Sequence, residues 1–264
     1  MESKKYKLTA ETKEVGGVTL HRIECVTAFG SVKAGEKGGW IESEKNLSQD
    51  GHAWVSENAT VSGNATVSGF STVSGHATVS ENATVSGFST VSGDATVSGD
   101  ATVSGFSTVS GNATVLWNAT VSENATVSEN ATVSGNATVS GHATVSGFST
   151  VSGNATVSGF STVSENATVS GHATVSGFST VSGGATVSGD ATVSGNAIVR
   201  KDADYIVFKN WWSSGRYFTW TRSNDMWRVG CFFGTGEELV AKAYEDSEES
   251  GREYERIVNY VNEI

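Results

Sequence analysis

The chain predicts an all-β solenoid with a small α+β unit at its C-terminal end. Three observations carry this. From Gly51 to about Arg200 one six-residue phrase recurs twenty-five times without an insertion, as GNATVS, GFSTVS, GHATVS, ENATVS and GDATVS. A fixed short period means that no unit buries its own apolar face and each stacks on its neighbours. Five repeat phenylalanines, Phe70, Phe88, Phe106, Phe160 and Phe178, differ by multiples of eighteen, with Phe148 alone out of register. Three hexads therefore make one coil. Finally, composition changes abruptly at both ends of the repeat, dividing the chain into 1–50, 51–204 and 205–264.

Within a hexad such as Val61-Ser62-Gly63-Asn64-Ala65-Thr66, strand alternation sends Ala65 and Val67 inward and Thr66 and Ser68 outward. Gly63-Asn64 forms the corner, because Gly and Asn tolerate left-handed dihedrals best. Asp or His in place of Asn keeps a residue type of that kind. Eighteen residues per coil gives about eight coils, a prism on the order of 40 Å long at ~4.8 Å per rung. Proline is absent from the chain, so every corner amide is free to bond.

This phrase, aliphatic at one position and small two residues earlier, resembles the hexapeptide repeat of left-handed parallel β-helices over roughly residues 40–204. The resemblance implies a left-handed parallel β-helix. Its open ends need covers, since exposed strand edges invite polymerisation. The first fifty residues read as a hairpin, Tyr6 to Glu14 and Val18 to Thr27 around Gly16-Gly17, feeding a first coil in which Ile41, Leu47 and Ala53 keep the six-residue step. Residues 205–264 read as strands near Tyr205–Lys209, Arg216–Arg222 and Met226–Phe233. A helix follows from the capping box Thr235/Glu238 to about Glu249, and a second after Gly251 places Tyr254, Ile257, Val258 and Val261 on one face. This ending and the GGWIES…NLS segment resemble uncharacterised hexapeptide-repeat proteins of gut bacteria and their phages. That likeness implies a capped rod and supplies no activity.

Charge is unevenly placed. The net charge is −11, and residues 51–199 hold no Lys or Arg but eight Asp or Glu. No basic stripe of the kind nucleic acid requires is present, so a nucleic-acid partner is not expected. The N-terminal MESKKYKLTAETKEV lacks an apolar signal core and no stretch is long and apolar enough to span a membrane. The expected setting is the cytoplasm or a phage particle, with no membrane partner. Cys25 and Cys231 stand far apart, so no disulfide framework is expected. Ten Asn-Ala-Thr triplets match the glycosylation acceptor, but without a secretory signal they read as repeat corners.

The well-known hexapeptide β-helices include acyltransferases, which hold a catalytic His between coils beside protruding loops. Here the hexads run without a loop. His76, His142 and His172 fall on three different edges, at corners where other hexads carry Asn, Asp or Phe. A convex corner offers a general base no pocket. A carbonic-anhydrase-like β-helix gathers three His around zinc, and these three do not converge. Asp94 and Asp100 lie on neighbouring corners, and no other ligand spacing occurs. No catalytic residue, metal or cofactor is expected.

Three surfaces remain. The Thr-Val-Ser tripeptide appears twenty-two times in twenty-three hexads between Thr60 and Ser194, broken only at Leu116. Each face thus presents columns of hydroxyls at ~4.8 Å spacing, one of them Thr66, Thr84, Thr102, Thr120, Thr138, Thr156, Thr174 and Thr192. Such arrays resemble the ice-binding face of certain insect antifreeze proteins, although one column is Ser and all three faces are alike. Thr is also simply a good strand former. The second surface is the edge bearing Phe70, Phe88, Phe106, Phe160 and Phe178, a partner or self-association seam, with Trp117 and Leu116 assigned to the same patch. A bulky residue there is costly if the corner needs positive φ. The third is the C-terminal unit, where Trp211, Trp212, Trp220 and Trp227 accompany Arg216, Tyr217, Phe218, Arg222 and Arg228. Arg with aromatics is the composition of a binding hot spot, and equally of a small core. The sequence therefore predicts a non-enzymatic structural or interaction rod recognising a protein partner through Trp211, Trp212, Arg216, Tyr217 and Trp220 or through the phenylalanine edge. Ice binding is the alternative and acyl transfer the third reading.

Overall fold

A computed structural model describes residues 4–264. The repeat folds as a parallel β-solenoid of three sheets. One sheet has nine strands, one eight, and one eleven, two of which are the antiparallel N-terminal hairpin Tyr6–Val15 and Val18–Cys25. The solenoid thus makes about nine turns. It exceeds the expected eight because Lys37–Ile41 already lies parallel on Thr60–Val61 as a rung of the first coil.

Each repeat strand is only the Thr-Val pair, and strands meet in register eighteen residues apart, as Thr90↔Thr108 and Val91↔Val109. Valine and alanine point inward along the whole axis and are fully buried. The core is one continuous stack running from Tyr6 and Ile23 to Val199. Small uniform side chains bury little area per coil, so ladder bonds such as Thr90 N to Ser107 O at 2.9 Å and Ser92 N to Val109 O at 2.9 Å share the load.

The left-handed residue of each corner is the first one, not the second. Every repeat glycine in that place has positive φ, between 65° and 75° for Gly63 through Gly195, whereas no corner Asn, Asp, His or Phe does. The reason is close coil packing. A Cβ built on Gly87 would lie 2.8 Å from the backbone N and O of Gly105 on the next coil. The phenylalanines therefore sit without backbone strain, contrary to the expectation, and strain lies instead at Glu57, Glu81, Trp117, Glu123, Glu129 and Glu165, all at φ 57–61°.

The first coil is longer than the others. Trp40 pairs with Thr60 and Leu47 with Val67, twenty residues on, whereas Trp54 pairs with Thr72, eighteen on. Ile41 and Leu47 consequently fill valine places and Ala53 an alanine place, all three fully buried. Between them Gln49 Oε1 accepts from the Lys5 N–H at 2.9 Å, and Tyr6 donates its hydroxyl to Leu47 O at 2.6 Å. The hairpin is fixed over the open end in this way.

The far end is closed by side chains. Thr186 N–H donates to Asp202 Oδ1 (2.7 Å), Thr192 N–H to Thr219 Oγ1 (2.8 Å) and Ile198 N–H to Ser223 Oγ (2.6 Å). The unit behind them is a four-stranded antiparallel sheet, Tyr205–Lys209, Tyr217–Thr221, Met226–Val229 and Phe232–Gly234. The single strand expected over 226–233 is two, folded back at Gly230, whose φ is 57°. Helix α1 spans Gly236–Asp246 behind the Thr235/Glu238 capping box. Helix α2 spans Glu248–Asn262 with Ser247 as N-cap, so Gly251 lies inside it rather than before it. Tyr244 explains the glycine, since a Cβ there would meet its ring at 2.2 Å. Tyr254, Val258 and Val261 are buried against Phe218 and Trp227, as the helical spacing requires.

Candidate functional site

The phenylalanine edge is a stack of rings. Phe70 lies 4.7 Å from Phe88, and Phe88 4.8 Å from Phe106, with planes within 9° and 5°. Phe160 and Phe178 stack at 5.1 Å further along. The rung spacing of parallel strands sets these distances. Two histidines belong to the same row. His142 lies flat on Phe160 at 4.6 Å, and His52 meets Phe70 edge-on at 4.8 Å, extended by Phe29 from the N-terminal cover. Both positions are multiples of eighteen from Phe70, so the spacing contained this signal. Only Asn124 interrupts the row. The five phenylalanines are about half exposed or more, from 48% at Phe70 to 69% at Phe178.

Each phenylalanine is followed by an inward Ser instead of Ala. Ser71, Ser89, Ser107, Ser161 and Ser179 are fully buried, and each Oγ donates at 2.7 Å to the carbonyl three residues back. Most alanine hexads close the same turn with a longer backbone bond, as Ala65 N to Ser62 O at 3.3 Å.

The second edge is amide-rich. Asn64 donates to Asn82, Asn82 to Asp100, Asn118 to Asn136 and Asn136 to Asn154, at 3.0–3.2 Å. Trp117 stands at this edge, not at the phenylalanine edge, being eighteen residues from Gly99 and Gly135. The third edge carries His76, Asp94, Asn112, Asn130 and the lone Phe148. The three histidines weighed as bases thus stay on three edges. Among the described residues no group of three or more His, Cys, Asp or Glu is placed to hold a metal ion.

The repeat is similar to the YdcK beta solenoid repeat, whose family model matches residues 91–105, 131–147 and 185–201. No curated protein matches the chain. The three YdcK-like segments lie within the solenoid, and none includes a residue of the N-terminal hairpin or of the C-terminal unit.

On the faces, Thr66, Thr84, Thr102, Thr120, Thr138, Thr156, Thr174 and Thr192 form one in-register column along the eight-stranded sheet, Thr66 exposed and the rest half-buried. In the C-terminal unit the aromatics divide. Trp220 and Trp227 are buried, the former donating its indole N–H to Asp225 Oδ1 at 2.8 Å. Trp212 packs edge-on against Tyr254 at 5.0 Å. Trp211, at 74% exposure, and Tyr217 face outward. Arg216 lines a cleft of about 320 Å³ with Asn210, Cys231, Lys242 and Tyr254. Burial raises the Tyr254 hydroxyl above the ordinary tyrosine value. Of the candidate residues in this unit, Trp220 therefore serves the core and only Trp211, Arg216 and Tyr217 are exposed. Among the described residues no helix is long and apolar enough to cross a membrane.

Proposed function

We propose that this protein is a non-enzymatic rigid rod that acts by structure and interaction, presenting its phenylalanine edge and the exposed Trp211 and Tyr217 of its C-terminal unit to a protein partner. The observation that supports this is the stacked row Phe70–Phe88–Phe106, an apolar ridge on an otherwise hydroxyl- and amide-covered surface. Exposed aromatic rows of this kind mark partner surfaces. The test keeps the fold, because Asn already occupies the same place at Asn124. Phe70→Asn, Phe88→Asn and Phe106→Asn together are expected to abolish partner capture or self-association while the thermal transition persists. Capture unchanged in the triple variant contradicts the role of this edge. On the same reading the chain is a relative of capped hexapeptide-repeat proteins of gut bacteria and their phages, working in the cytoplasm or in a phage particle.

A second reading is ice binding, favoured by the in-register threonine column from Thr66 to Thr192. It expects thermal hysteresis and faceted ice crystals, both lost in Thr120→Lys with Thr138→Lys. Absence of hysteresis at millimolar protein removes it.

A further inference from the structure

Trp117 combines features that no other corner shares. Its φ is 60°, a conformation costly for a bulky residue, and its ring is 63% exposed. The glutamates held in the same strained place are mostly compensated. Glu57, Glu123, Glu129 and Glu165 each accept a hydrogen bond from the glycine N–H of the next coil, at 2.6–2.8 Å. Trp117 has no carboxylate to offer Gly135, and among the described residues its ring stacks on no other. Leu116 beside it replaces the outward Ser of every neighbouring hexad, and Ser134, one coil on, is buried where Ser80 and Ser98 stay partly exposed. Strain held without a structural return points to a task outside the fold.

The surroundings indicate the chemistry of what docks there. Asp100 stands one coil before Asn118 on the same edge, accepts from Asn82 at 3.0 Å, and among the described residues has no cationic partner. Glu81 occupies Trp117's own corner place two coils earlier. No Lys or Arg occurs anywhere between residues 51 and 199. An exposed indole face beside unpaired carboxylates attracts a cation twice over, through the ring quadrupole and through charge.

We propose that Trp117, with Leu116 and the Asp100 carboxylate, docks an arginine- or lysine-bearing segment of a basic protein partner. The proposal rests on the reading of the rod as an interaction protein, but on a different edge. Failure here leaves the phenylalanine-edge test standing, and the reverse.

The test is fluorescence anisotropy at low salt with a labelled peptide of alternating Arg and Gly, and with its Glu-Gly counterpart. The wild-type protein is expected to prefer the Arg peptide. Trp117→Gly, which restores the residue found at most corners, is expected to weaken binding by about fivefold or more. It should melt at the same or a higher temperature, so loss of binding cannot be loss of fold. Asp100→Asn is expected to weaken binding by a smaller factor, and Asp190→Asn, far along the rod, to leave it unchanged. The proposal is overturned if Trp117→Gly binds like wild type, if Asp190→Asn costs as much as Asp100→Asn, or if the wild type does not distinguish the two peptides.

Discussion

Ser71 donates its Oγ to the carbonyl of Ser68 at 2.7 Å and closes, beneath Phe70, the turn that most alanine hexads close through the backbone. The same pair recurs as Ser89 with Ser86 and Ser107 with Ser104. Phenylalanine at the corner and serine in the core are thus one local unit, in which a buried hydroxyl replaces a backbone bond.

That coupling is measurable by a double-mutant cycle in urea. Ser89→Ala is expected to cost about 1 kcal/mol, the worth of a buried hydrogen bond. In the Phe88→Asn background, where the corner matches an ordinary alanine hexad, the same change should cost close to nothing. Equal costs in both backgrounds would show that the two residues are independent.

The strained glutamates give a second comparison. Glu129→Gly loses the bond to Gly147 but also loses the strain, and should leave stability nearly unchanged. Glu129→Ala loses the bond and keeps the strain. It should be less stable than the Gly variant by about 1–2 kcal/mol, read as the difference in denaturation midpoint at fixed slope.

Lys5 makes stability rise with pH. Burial depresses its ammonium from 10.5 to about 8, while Nζ still donates to Ala53 O at 3.0 Å. The folded state therefore releases this proton before the unfolded state does, so unfolding takes up a proton between about pH 8 and 10.5 and stability increases across that window. Burial raises the Cys25 thiol, which opposes the trend at higher pH. The comparison accordingly belongs between pH 7.5 and 9. The melting temperature should climb there in the wild type and climb less in Lys5→Met. Parallel profiles would refute the assignment.

The C-terminal cover should act against polymerisation. Asp202→Ala, Thr219→Val and Ser223→Ala together leave the N–H groups of Thr186, Thr192 and Ile198 unpaired at an open edge, a template for another chain. Sedimentation velocity is expected to show concentration-dependent, end-to-end association of the triple variant. A variant that stays in the wild-type state would place the barrier elsewhere in the C-terminal unit.

Much of this was written in spacing. The eighteen-residue coil, the inward Ala and Val, the outward Thr columns and the phenylalanine edge all follow from a period of six and a strand alternation of two. The positions of His52 and Trp117 on their edges follow from the same count, and so does that of His142, which was counted only against the other histidines and not against the phenylalanines. Within the C-terminal unit the capping box at Thr235 and the buried face of α2 were legible, because a helix advertises both its start and its apolar stripe.

By itself, the sequence determined the solenoid, since a repeat with one apolar face per unit has no other way to bury it. Tertiary structure alone decided which corner residue turns left-handed, because that depends on how closely one coil's backbone lies over the next, as at Gly87 and Gly105. It also decided that Trp220 is core while Trp211 is surface, and that Gly251 continues a helix under the Tyr244 ring. Those choices are made by what a side chain meets across the fold, and a single chain position does not record it.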